Sequence, residues 1–75
     1  MGMNQKQAYL YAKPLVPSGA RLRLSTWGKE SKFVYAILIP KFDTSLQINK
    51  GGETWKEAID LAITEWNRRF NIEGK

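Results

Sequence analysis

"RLRLSTWGKESKFVY", Arg21 to Tyr35, is the stretch on which the fold turns. Arg21, Arg23, Ser25 and Trp27 occupy alternate positions, with Leu22, Leu24 and Thr26 between them. Successive strand side chains point to opposite faces, so this run has one cationic face and one apolar face. Gly28-Lys29-Glu30-Ser31 has turn chemistry, and Lys32 to Ile39 is a second run of strand character. Two such runs around a short polar break predict a β-hairpin. The second run is apolar on both faces, as a central strand is, and Pro40 breaks it.

Working outward, Ala8 to Val16 reads Ala-Tyr-Leu-Tyr-Ala-Lys-Pro-Leu-Val. Its alternation predicts a further strand, with Tyr9, Tyr11 and Lys13 on one face and Pro14 marking an edge. Val16-Pro-Ser-Gly-Ala20 is a turn. On the other side, Leu46 and Ile48 alternate with Ser45, Gln47 and Asn49, which predicts a short fourth strand. Asn49 to Glu53 reads as a loop, with Gly51-Gly52 at its centre. A helix follows: Thr54 and Glu57 have capping-box spacing, and Trp55, Ala58, Ile59, Ala62, Ile63, Trp66 and Phe70 form one apolar stripe. Trp55 and Trp66 belong to the core on this reading. Glu65 and Arg69 form a favourable i,i+4 pair, and Leu61 lies off the centre of the stripe. The expected class is α+β: a four-stranded antiparallel sheet followed by one C-terminal helix, β-β-β-β-α. Residues 1–6 are expected to be a flexible lead and 7–72 a single domain.

Seventy-five residues make one small domain with a thin core, and no cysteine is present to staple it. No run is long or apolar enough for a membrane span, and no apolar signal core opens the chain, so a cytoplasmic protein is expected. The net charge is +5. It is unevenly placed. Residues 1–41 carry Lys6, Lys13, Arg21, Arg23, Lys29, Lys32 and Lys41 against Glu30 alone, whereas Glu53, Glu57, Asp60 and Glu65 crowd the helix. A basic region on one element points to an anionic partner, most often nucleic acid.

With no histidine and no cysteine, the common nucleophile–base pairs and soft metal sites are absent. The carboxylates read as solvated helix charges. The glycine pair has neither a Walker nor a dinucleotide pattern around it. The expectation is a non-enzymatic protein without a cofactor. The chemistry left is on the sheet: cations neutralise phosphates and flat rings stack on unpaired bases. Tyr9, Tyr11, Lys13, Arg21, Arg23, Trp27, Lys29, Lys32 and Tyr35 are the candidate nucleic-acid contacts. The bland alternative is that the arginines face water while the rings fill a core or a dimer interface.

Leu22 to Tyr35, LRLSTWGKESKFVY, resembles the second and third strands of bacterial-type members of the positive cofactor four family, single-stranded-DNA-binding coactivator-like proteins. Ser45 to Ile59, SLQINKGGETWKEAI, is similar to that family's fourth strand, loop and helix start. The resemblance implies a β-β-β-β-α order, a homodimer paired partly through its helix, and a sheet surface gripping unpaired strands. It favours Arg21, Arg23, Trp27, Lys29, Lys32 and Phe33 or Tyr35 as contacts. Roles in transcription, replication or recombination, in a phage or mobile element, are the expectation. Asn49 to Trp66 is also similar to the strand–helix joint of HicB-type antitoxin domains, which bind a protein. A small protein–protein module, antitoxin-like or a phage inhibitor of a host protein, is therefore the competing expectation. Its mark would be an apolar sheet face with Phe33, Tyr35, Ile37 and Ile39 exposed. A third is an arm-type integrase domain, three strands and a helix reading duplex DNA.

Overall fold

A computed structural model describes residues 4–26 and 33–70. The order of elements is α1 (Gln5–Ala12), β1 (Ala20–Thr26), β2 (Val34–Pro40), β3 (Ile48–Gly52) and α2 (Trp55–Phe70), with a 3₁₀ turn at Thr44–Leu46. The class is α+β, with an antiparallel sheet and a C-terminal helix as expected. The sheet has three strands rather than four, in the order β1-β2-β3, and there are two helices rather than one. The expected β-β-β-β-α order is thereby corrected to α-β-β-β-α among the described residues.

The hairpin of the central stretch is present. β1 pairs with β2 antiparallel, Ala20 opposite Pro40 through Thr26 opposite Val34. The residues that join the two strands, 27–32, lie outside the described ones. β2 is central and pairs on its other side with β3, Val34 opposite Gly52 and Leu38 opposite Ile48. One face of the sheet is formed by even-numbered residues. Leu24, Ala36, Leu38, Pro40 and Ile48 are buried there beneath the helices. Trp55, Ala58, Ile59, Ala62 and Trp66 of α2 meet them, so the apolar stripe and both assigned core tryptophans are where the sequence puts them. Ile63 and Phe70 pack at the margin of this core, and Leu61 is exposed.

Ala8 to Val16 is not a strand. Ala8 and Ala12 are four residues apart and both fully buried, which is helical spacing. Asn4 begins the helix with a complete capping box: its side chain accepts from the Gln7 N–H at 2.8 Å, and Gln7 Oε1 accepts from the Asn4 N–H at 3.0 Å. Asn4 to Lys6, placed in the flexible lead by the sequence, are thus cap and first turn. The helix stops just before Pro14, which has no N–H to continue the ladder, while Lys13 at the C-cap still has helical backbone angles. Alanines on the buried side let α1 lie close to its neighbours.

Its polar side chains then do something a fourth strand would have done. They close part of the outer edge of β1. The Leu24 N–H donates to Tyr9 Oη at 3.0 Å, and Gln5 Nε2 donates to the Leu24 carbonyl at 2.8 Å. Open strand edges invite pairing with other chains, and here helix side chains occupy one edge position in place of a strand. Tyr9→Phe removes one acceptor from a part-buried N–H and is expected to lower unfolding stability by about 1 kcal/mol, read as a shifted urea midpoint. No shift would mean that water replaces the phenol at that edge without loss.

The predicted fourth strand is β3, and it begins later than expected. Asp43 accepts from the Ser45 N–H at 3.0 Å and the Ser45 hydroxyl at 2.6 Å, winding Thr44–Leu46 into the 3₁₀ turn. Gly51 and Gly52, read as a loop, are the end of the strand. Gly52 faces α2: a Cβ there would lie 3.0 Å from the Ala58 backbone nitrogen, so glycine lets the helix start close to the sheet. At that start the Glu57 N–H donates to Thr54 Oγ1 at 3.1 Å, while Glu57 Oε1 accepts from the Glu53 N–H at 2.9 Å, one residue before a regular box.

Candidate functional site

Both helices lie on the even-numbered face of the sheet. The odd-numbered face is uncovered by any described element. It is made by Arg21, Arg23 and Ser25 of β1, Tyr35, Ile37 and Ile39 of β2, and Asn49 and Gly51 of β3. Among the described residues of this face there are two cations and no carboxylate.

The register fixes the layout. Arg21 stands opposite Ile39, Arg23 opposite Ile37, and Ser25 opposite Tyr35. Asn49 lies across from Ile37, and Gly51 across from Tyr35. Both arginines are exposed, on the same side of one strand, about 6.6 Å apart at two strand rises of about 3.3 Å. Such spacing suits consecutive phosphates of an extended single strand. Ile37 and Ile39 are half-buried beside them, forming an apolar middle between a cationic edge and a polar one. Tyr35 lies across Gly51. A Cβ on that glycine would sit 2.7 Å from Tyr35 Cε1, 3.0 Å from Cδ1 and 3.6 Å from Cζ, so the ring occupies the space above the bare Cα.

The structure separates the other candidates from this face. Tyr9, Tyr11 and Lys13 belong to α1 and its C-cap and not to the sheet. Tyr9 Oη is engaged at the β1 edge. Tyr11 Oη donates to Asp60 Oδ1 at 2.7 Å, tying α1 to α2, and that bond to a carboxylate raises the phenol's pKa. Lys56 Nζ reaches Asp60 Oδ2 at 3.1 Å and lies 6.0 Å from the Tyr11 ring centre. Asp60 raises the Lys56 pKa in turn. These contacts give both tyrosines structural work, which their helix positions explain. Lys13 is exposed beside an open groove of about 440 Å³, lined also by Tyr9, Leu10, Val16 and Leu22. Trp27, Lys29 and Lys32 lie outside the described residues. Phe33 is half exposed.

No family model, curated protein or solved structure matches this chain. The site is therefore read from its own residues.

Sequence reasoning placed Ile37 and Ile39 beside Tyr35 only as the exposed face of the protein-docking alternative, and it missed Asn49 and Gly51. For Gly51 the signal was hidden by taking the glycine pair as a loop. Among the described residues no group of three or more acids could hold a metal ion, and no helix is long and apolar enough to cross a membrane.

The C-terminal arginines are held differently from Arg21 and Arg23. Glu65 is 8% exposed and accepts from Arg68 Nη2 at 2.9 Å and from Arg69 Nε at 3.0 Å. Arg68 above all, and then Arg69, depress its pKa against the opposing effect of burial, with Lys50 adding a smaller pull. The predicted Glu65–Arg69 pair is present, and Arg68 shares it. A carboxyl whose folded pKa lies below its unfolded value stabilises the fold above the unfolded value, and that contribution fades as pH falls through the folded one. Stability should therefore decline as pH drops below about 4.3, the ordinary glutamate value. Glu65→Gln should flatten that acid limb in thermal melts across pH. A variant with an unchanged acid limb would place the dependence on another carboxylate.

Proposed function

We propose that this chain is a non-enzymatic single-stranded-DNA-binding protein that holds an unpaired strand on the open face of its sheet. The observation that carries the reading is the pairing, on one uncovered face free of described carboxylates, of two exposed arginines with a tyrosine whose ring lies over Gly51. Arg21 and Arg23 would neutralise phosphates along β1. Bases would turn inward over Ile39, Ile37 and Tyr35, where apolar surface and a π-face reward stacking without demanding a sequence. The basic chain supplies long-range attraction. Among the described residues no helix presents a row of free cations to a duplex groove, since Arg68 and Arg69 are engaged by Glu65.

The likeness to the positive cofactor four family supports the same ligand class from sequence, though its strand order is not the one observed. A homodimer, with a role in transcription, replication or recombination, rests on that likeness and on the thin core of one copy. Cytoplasmic placement and a phage or mobile-element origin are part of the same reading.

The test is a titration of tryptophan fluorescence with a single-stranded oligonucleotide and its matching duplex at two salt concentrations. Tighter, salt-sensitive binding of the single strand is expected. Preference for the duplex would overturn the single-strand assignment, and no binding at low salt would overturn nucleic acid altogether.

Ile37 and Ile39, half exposed at the centre of the face, favour a second reading: a module that docks a protein partner through an apolar patch with an arginine rim. Such binding would be weakly salt-dependent, and oligonucleotides would not compete for it.

A further inference from the structure

We propose that Tyr35 is the position at which one unpaired base stacks, and that Gly51 is the positioning residue whose missing side chain gives the ring its place over β3. This rests on the open-face reading above and adds a site within it.

A glycine inside a strand weakens the strand, because it carries no side chain to pack and loses more freedom on folding. Gly51 is not required by its backbone, since among the described glycines only Gly19 has a positive φ. What its missing Cβ provides is room. The atom would sit 2.7 Å from the edge of the Tyr35 ring, closer than carbon atoms approach without one of them moving. Adjacent Gly52 faces the other side of the sheet and makes room for α2. The two glycines therefore serve opposite faces of one strand, Gly52 for the core and Gly51 for the ring.

The half-buried ring lies with its Cδ1–Cε1 edge over Gly51, on a face that no described element covers, where an unpaired base can reach it. Arg23 stands diagonal to Tyr35 across the β1–β2 pair, about 7 Å away between Cβ atoms and within reach of an arginine side chain. A nucleotide stacked on Tyr35 can thus give its phosphate to Arg23. An alanine at position 51 would lift the ring edge, tilt the stacking surface and leave the arginines in place.

The test is a double-mutant cycle, read as fluorescence anisotropy of a labelled oligothymidylate at low salt, with circular dichroism confirming the fold of each variant. Tyr35→Ala and Gly51→Ala should each weaken binding about tenfold. Gly51→Ala should add nothing once Tyr35 is alanine, since no ring remains to be displaced. Wild-type-like binding by Gly51→Ala, or an equal loss in the Tyr35→Ala background, would overturn the inference while leaving the open-face reading standing. Failure of the wild-type protein to bind the oligonucleotide would remove both.

Discussion

Leu38→Ala is expected to lower unfolding stability by about 2–5 kcal/mol, whereas Ile37→Ala, one residue away, should cost about 1 kcal/mol. Leu38 is fully buried on the helix side of β2 and is among the largest side chains in that position. Ala58 and Ala62 of α2, buried in the same core, have no spare length to fill the space it would leave. A cavity term therefore adds to the lost transfer energy. A chain of this size has about 4–11 kcal/mol of stability in all, and with no disulfide it belongs near the low end. Leu38→Ala should then be close to unfolded at room temperature. Ile37 is half exposed on the open face and leaves no enclosed cavity when shortened. Urea unfolding followed by tryptophan fluorescence reads both, because Trp55 and Trp66 are buried in the same core. Equal losses at the two positions would mean that the open face is covered in solution.

The second large effect concerns binding. Arg21→Ala combined with Arg23→Ala should weaken single-strand binding about 25-fold at 0.1 M salt and reduce the slope of log K against log salt by about 1.4. Each phosphate contact on a single strand contributes about 0.7 to that slope through counterion release, and two contacts are removed. The loss should shrink toward nothing near 1 M salt. Neither arginine has a described ion-pair partner and both are exposed, so the fold should persist and the change belongs to the ligand. The matching change at Arg68 and Arg69 should alter the slope much less, because Glu65 already neutralises part of that charge. A slope unchanged by the Arg21/Arg23 pair would remove the cationic edge from the site.

Much of this architecture was legible in sequence where the pattern was long and of one period. Seven stripe positions over sixteen helical residues left little doubt about α2. Alternating arginine and leucine fixed both β1 and the identity of its outer face. The misread elements were short. Within nine residues, Ala8-Tyr-Leu-Tyr-Ala fits a period of two as readily as the four-residue spacing of Ala8 and Ala12. The deciding signal was Asn4 followed by Gln7, a cap just upstream in a stretch taken for a frayed lead. That single error moved Tyr9, Tyr11 and Lys13 onto the wrong element and added a strand to the sheet. At the other end, glycines suggested a loop because a loop is their usual setting. Here the need was tertiary: one glycine admits a helix, the other a ring, and neither neighbour can be seen from the local sequence. Arg21, Arg23 and Tyr35 survived as one group because the register of a single hairpin joins them.

Amide chemical-shift mapping with an unlabelled single-stranded oligonucleotide tests the central claim most directly. If the open face is the site, resonances of Arg21, Arg23, Tyr35, Ile37, Asn49 and Gly51 should move together in fast, salt-sensitive exchange, while those along the exposed side of α2 stay in place. Shifts confined to α2 or to the groove beside Lys13, or a spectrum unchanged by the oligonucleotide at low salt, would contradict it.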